Sequence, residues 1–399
     1  MAALSDAELS RLSPALEATV AFEVDERRCA IRFNNGVVQA GDPDTAQLRI
    51  RASTAAWEPV LASPPPPGSH AFTALDLVNP QFTIVGDRLL LAQARPALER
   101  IIEIVATVPP LATPTFARDV GRIVGRYRTI RLNDDSYDVY YETAGRGTPV
   151  LFLHTAGADS RQFIDQLGDV ALGERYRMVA VDLPFHGRSL PGRAWRGEPY
   201  RLDATTYQHW CVAIIQALFD EPVILAGGSM GAAIALIVAG NHPELIRGVV
   251  AIEPPLRSKG RRNVFQNHVA VHAGIHNASY VRGLMSPVSP IAQRRRSAWI
   301  YSQGAPGIYS GDLAFYSEDF DGDPVARRVH QSQVPIALLC GSYDYSATPA
   351  DGRALADLMP GCKYLEMKGL GHFPMCEHPD YFRPFLVAGL EFVSGASGD

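Results

Sequence analysis

The stretch VILAGGSMGAAIALIVAG, residues 223–240, passes from an apolar run through Gly227-Gly228-Ser229-Met230-Gly231 into small and apolar residues. A serine at such a junction has two readings. It can cap the helix that follows, or it can be a nucleophile held up by a sharp strand-to-helix turn. A cap needs no glycine two residues before it or two after it. The strained turn needs small residues at both places, because side chains there would crowd it. The spacing therefore points to an elbow with Ser229 at its tip.

The segments on either side suit that reading. From about Val120 the chain alternates apolar, β-branched runs with helical patterns: DVYYETAG, PVLFLHTAG, YRMVAVDLP, PVILAGGSM, GVVAIEPP and PIALLCGSYD each combine β-branched or bulky apolar residues with a Gly, Pro or Asp terminator. Near-continuous apolar strands alternating with helices imply a parallel sheet covered on both faces, with ligands at the carboxyl ends of its strands.

With the G-x-S-x-G pattern present as Gly227-Gly228-Ser229-Met230-Gly231 between strand and helix, the chain from about residue 120 onward resembles the α/β-hydrolase superfamily. The resemblance implies a mostly parallel, doubly wound sheet with a helical cap insert and the chain order serine, acid, histidine. A serine hydroxyl is a weak nucleophile until a base takes its proton. The resemblance assigns the base to His372, in LEMKGLGHFPMCEHP, and the orienting acid to Asp344, in GSYDYSATP. Glu253, in GVVAIEPP, is the alternative acid, since some superfamily members recruit theirs after that strand.

A tetrahedral intermediate also needs two backbone N–H donors. Met230, just after the serine, supplies one. Ala156 supplies the other, from the loop His154-Thr155-Ala156-Gly157-Ala158-Asp159, where Thr155 replaces the glycine of many relatives. His154, and His186 in DLPFHGRS, are read as loop-propping residues. The serine argues against the haloalkane dehalogenase and epoxide hydrolase branches, which use an aspartate.

The regular alternation lapses at about 256–333, where the resemblance places a cap. Trp299, Tyr301, Tyr309, Phe315 and Tyr316 there, with Thr155, are candidates for the substrate pocket. The Arg294-Arg295-Arg296 run reads as a solvated helix face. His268, His272 and His276 would align on one face of a helix, but no carboxylate or cysteine completes a metal set. No metal or cofactor is expected.

Residues 1–112 read as a separate small α+β domain before a hydrolase domain at 113–399. Apolar runs with Asn-Gly and Gly-Asp turn signals suggest antiparallel strands, and RPALERIIEIVATV has helical spacing at Leu98, Ile101, Ile102 and Val105. The order around ALDLVNPQFTIVGDRLLLAQARPALERIIEIV resembles a sterol-carrier-type domain.

A formal net charge of -5 lacks the basic footprint of nucleic-acid binders. The cysteines, 5 in number and scattered, suggest free thiols. Without a signal-like start or a membrane-spanning run, the expected location is cytoplasmic. The sequence thus predicts a serine hydrolase acting on an apolar ester or lactone, with a homodimer open. Carbon–carbon bond hydrolysis, thioester hydrolysis and a slow-turnover receptor of the same fold are the alternatives.

Overall fold

Two units divide the chain, and both are discontinuous. The first takes in the chain through Leu111 together with Val264–Ser302, and the second comprises Ala112–Asn263 and the chain from Gln303 onward. The computed structural model describes residues 2–106 and 108–395.

In the first unit, β1 (Glu17–Val24), β2 (Arg27–Asn34), β3 (Val37–Gly41), β4 (Leu48–Ala52) and β5 (Thr83–Gly86) form a sheet of order β3-β2-β1-β4-β5. All neighbours are antiparallel except β1 and β4. Asn35 and Gly36 join β2 to β3 with φ of 49° and 86°, the left-handed pair that a two-residue hairpin turn demands. The segment QFTIVGDRLLLAQA is not one strand: β5 ends at Gly86, and a helix, Arg88–Val105, begins after Asp87, whose carboxylate caps Leu90 N–H at 2.8 Å. Leu98, Ile101 and Ile102 are buried on it, whereas Val105 is exposed.

Residues 264–302, which the sequence assigns to the cap of the second domain, group instead with this unit. The cause is local. On the helix Ala273–Leu284, Val281 and Leu284 are buried, His276 Nδ1 bonds Ala92 O at 2.8 Å, and Arg282 sits between Glu8 and Glu103. The basic run is only partly a solvated face: on the helix Ile291–Ser302, Arg294 reaches Glu103 at 3.3 Å and Arg295 reaches Glu8 at 2.7 Å. Of the three spaced histidines only His276 lies within a helix, so they do not share a face. Among the described residues no cluster could hold a metal.

The second unit is built on an eight-stranded sheet of β6 (Val124–Leu132), β7 (Asp135–Gly145), β8 (Thr148–Leu153), β9 (Tyr176–Val181), β10 (Val223–Gly228), β11 (Ile246–Ile252), β12 (Ile336–Gly341) and β13 (Lys363–Met367). Its order is β13-β12-β11-β10-β8-β9-β7-β6. β8 to β13 run parallel, and β7 pairs antiparallel with both β9 and β6. Every residue of β10 and β12 is buried, as strands covered on both faces must be. This arrangement brings the carboxyl ends of β8, β10, β11, β12 and β13 to one edge. No helix among the described residues is long and apolar enough to cross a membrane.

Candidate active site

β10 ends at Gly228 and the helix Met230–Asn241 starts two residues later, so Ser229 must reverse the chain by itself. Its backbone has φ 51° and ψ -109°, a region that L-residues enter only when their surroundings impose it. The flanking glycines make that possible. A Cβ on Gly227 would stand 2.1 Å from Gly231 O, and one on Gly231 would stand 2.3 Å from Leu153 O. Ser229 N–H is anchored on Ile252 O at 2.8 Å. The side chain does not cap the helix, which removes the competing reading.

His372, five residues past β13, brings Nε2 to 2.8 Å from Ser229 Oγ, while its Nδ1 faces Asp344 Oδ2. The other oxygen of Asp344 accepts Ser346 N–H at 2.7 Å and Ala347 N–H at 3.1 Å. The carboxylate is thereby fixed from both sides. All three side chains are buried, and the Phe373 ring stands edge-on to His372 at 4.8 Å.

Glu253 occupies a different place. Its backbone has φ 50° and both carboxyl oxygens lie 2.8 Å from Gly341 N. Burial, reinforced by the neighbouring Asp344 charge, pushes its carboxyl well above the usual range. Asp344, not Glu253, is the carboxyl group that faces the histidine.

The two candidate oxyanion donors are open. Met230 is the first residue of its helix, where N–H groups lack intrahelical partners. In the loop after β8, Thr155 N–H is taken by Gln162 Oε1 at 2.9 Å, Gly157 N–H by Asp312 at 2.7 Å and Ala158 N–H by Thr155 O at 3.2 Å. Ala156 N–H alone in that run has no partner among the described residues. His154 props this loop: Nδ1 faces its neighbour's carbonyl, Thr155 O, at 2.9 Å, and Nε2 accepts Leu183 N–H at 3.2 Å. Burial, with the His186 charge adding to it, lowers its pKa to about 4.

The aromatic candidates divide between the units. Trp299, which is 63% exposed, and Tyr301 belong to the first unit, outside the one that holds Ser229. Phe315 is fully buried against Tyr207 and Phe320, a core contact. Tyr309 packs its ring on Gly157, and Thr155 packs its methyl against Gly228. Tyr316 lies on a single π-helical turn, Phe315–Asp319, a feature common at functional sites. Its hydroxyl accepts Ser258 Oγ–H at 3.1 Å and lies 3.4 Å from Ser346 Oγ. Gln162, Ser258, Ser346 and Asp312 were not singled out from the sequence, because no motif marks them.

An elbow serine, an imidazole and a carboxylate in line at the carboxyl edge of a mostly parallel sheet define the hydrolase type of α/β protein. The chain belongs to the family described as alpha/beta hydrolase fold, which matches residues 148–379. Its relatives include the (E)-2-((N-methylformamido)methylene)succinate hydrolase of Acinetobacter baylyi, 24% identical over 55% of this chain and 81% of that one. The pimeloyl-[acyl-carrier protein] methyl ester esterase of Chromobacterium violaceum is 25% identical over 64% of this chain and 98% of that one. Among solved structures, an esterase from Thermogutta terrifontis superposes with a TM-score of 0.58 at 18% identity, covering 67% of this chain and 99% of that one.

Proposed function

We propose that the protein is a serine hydrolase that cleaves a carboxylic ester or lactone of fairly apolar character through an acyl-enzyme. Ser229 attacks the carbonyl, His372 takes its proton and returns it to the leaving group, and Asp344 holds the imidazole and stabilises its charge. Met230 N–H and Ala156 N–H receive the oxyanion. Water then repeats the sequence on the acyl-enzyme. The observation that carries this reading is the line from Ser229 Oγ through both nitrogens of His372 to Asp344. The methyl ester esterase among the relatives supports an ester substrate.

The test is a screen of 4-nitrophenyl esters, lactones, thioesters and amides with Ser229→Ala as the blank. Loss of a triad nucleophile should remove several orders of magnitude of rate while the fold persists. A fluorophosphonate should label Ser229 alone. A variant that retains a tenth of the wild-type rate would sink the mechanism, and a wild type with no acyl-enzyme burst would favour the receptor reading.

For the first unit, the proposal is a sterol-carrier-type domain that helps bind apolar substrate. It is supported by a sheet whose Val20, Phe22, Phe33 and Ile50 are buried with Trp57 and the helix Arg88–Val105 in one apolar cluster. Titration of Ser229→Ala with a fluorescent long-chain fatty acid tests it, and lack of saturable binding removes it.

A further inference from the structure

The loop that bears Ala156 is held from the far side by a buried trio. Asp312, on the helix Ile308–Ala314 of the β11–β12 connection, accepts Gly157 N–H at 2.7 Å and bonds His186 Nε2 at 2.8 Å through Oδ2. Its Oδ1 accepts the Tyr200 hydroxyl at 2.7 Å. Three donors converge on one carboxyl group, so it is ionised. His186 Nδ1 lies 3.0 Å from Pro184 O. Both ring nitrogens therefore face oxygens that only accept, and only an imidazolium can donate from both. Asp312 and His186 are almost wholly buried, so the charges depend on each other.

The backbone is tied at every neighbour of the open donor. With Thr155, Gly157 and Ala158 N–H all engaged, the Ala156 peptide has little freedom to turn. We propose that Asp312, kept charged by His186 and steered by Tyr200, is a positioning residue that sets the oxyanion donor Ala156 and makes the activity depend on His186 being protonated. The proposal rests on the hydrolase reading above. It adds a residue that touches no reacting atom and a link from the β11–β12 connection to the oxyanion site.

The groups facing the pair agree in sign. His186 is faced by Asp312 from the connection, Asp182 from its own loop, Tyr200, and His154 with ring centroids 4.7 Å apart. His154 accepts Leu183 N–H and stays neutral, so it does not compete for the charge. Although burial opposes it, the Asp312 charge raises the His186 pKa above its ordinary value, and the His186 charge lowers that of Asp312. The tie is complete below the ordinary histidine pKa, fades as pH rises through the raised one, and is lost at the acid end only as Asp312 protonates.

The test uses the full chain with 4-nitrophenyl acetate and a trifluoromethyl ketone that forms a tetrahedral adduct at serine. Asp312→Asn should lower kcat by about 10- to 100-fold, between a mild misalignment and the loss of one oxyanion donor. KM should stay within a few-fold, and affinity for the ketone should fall by the same factor as kcat. Tyr200→Phe, which removes one bond and leaves the ion pair, should show a smaller loss with the same split. His186→Gln keeps a donor toward Asp312 but cannot titrate, so the alkaline fall of the wild-type rate should vanish. If Asp312→Asn and Tyr200→Phe leave kcat and ketone affinity unchanged in an active wild type, the positioning role is wrong. If the wild-type alkaline limb survives in His186→Gln, the dependence on His186 is wrong. A wild type that does not turn over the ester or react with the ketone refutes the hydrolase reading instead.

Discussion

Gly231→Ala is the sharpest probe of the elbow, because its cost can be worked from one contact. The new Cβ would stand 2.3 Å from Leu153 O, 2.8 Å from Leu153 C and 3.0 Å from His154 O. All three are backbone atoms of β8 and the loop that carries Ala156, so no side chain can swing away. Opening the shortest approach to about 3.3 Å, where carbon–oxygen contacts become acceptable, requires about 1 Å of backbone separation. Overpacking of this kind costs about 1–3 kcal/mol, or about 2–12 °C in melting temperature for a unit this size. The displacement also falls between the two oxyanion donors, and a misplacement of about 1 Å costs on the order of 10²-fold in rate. Gly240→Ala in the same helix is the control: its Cβ meets the flexible Arg328 Cγ at 3.2 Å, and helix propensity there favours alanine by up to about 1 kcal/mol. Calorimetry and esterase kinetics on both variants give the answer. A Gly231→Ala protein with wild-type melting temperature and kcat would refute the idea that this glycine permits the turn.

Asp344→Asn should lower kcat by about four orders of magnitude, since the wrong histidine tautomer is then stabilised, and Glu253→Gln should cost far less; steady-state kinetics giving the reverse ranking would move the acid to Glu253. Glu99 is buried and accepts Phe72 N–H at 3.0 Å, and burial raises its pKa from 4.5 to about 7. The folded state then binds more protons than the unfolded one across that window, so this group's contribution to stability falls as pH rises, by at most about 3 kcal/mol; urea midpoints at pH 5 and 7.5 should differ less in Glu99→Gln than in wild type. Deleting residues 1–111 alone should give an aggregating protein, because Val281 and Leu284 are buried on a helix that packs against Arg88–Val105, and exposing each costs about 1.5–3 kcal/mol. Light scattering decides, with a chain that also lacks 264–302 expected to be the more soluble.

Legibility in the sequence tracks how local the determining physics is. The elbow could be read because its requirements fall within five consecutive residues, two of which must lack a Cβ. Asp344 is reachable because it follows the end of β12, a wholly buried apolar strand that signals its own position, whereas β13 before His372 is only half-buried and His372 is found from its Gly-Leu-Gly loop and the chain order the family resemblance implies. β6 carries no such signal: VGRYRTIRL at the sheet's edge is exposed at most positions, so it has no apolar run to mark it.

The first unit exposes the harder limit. Ala273–Leu284 is buried at every position from Ala278 to Leu284, and nothing in its sequence records that its partners lie far back in the chain, as the bond from His276 to Ala92 does. Arg294 and Arg295 read as solvent-facing until Glu103 and Glu8 are brought beside them. Asp312 belongs to the same class. An aspartate in a helix carries no sign of function by itself; its meaning comes from Gly157 in the loop after β8 and from His186 and Tyr200 in the long connection after β9. A motif search finds the atoms that react, because chemistry constrains their neighbours in sequence. The groups that hold those atoms in place are constrained only by distance in space, so the residues most open to discovery here are the ones that touch no substrate.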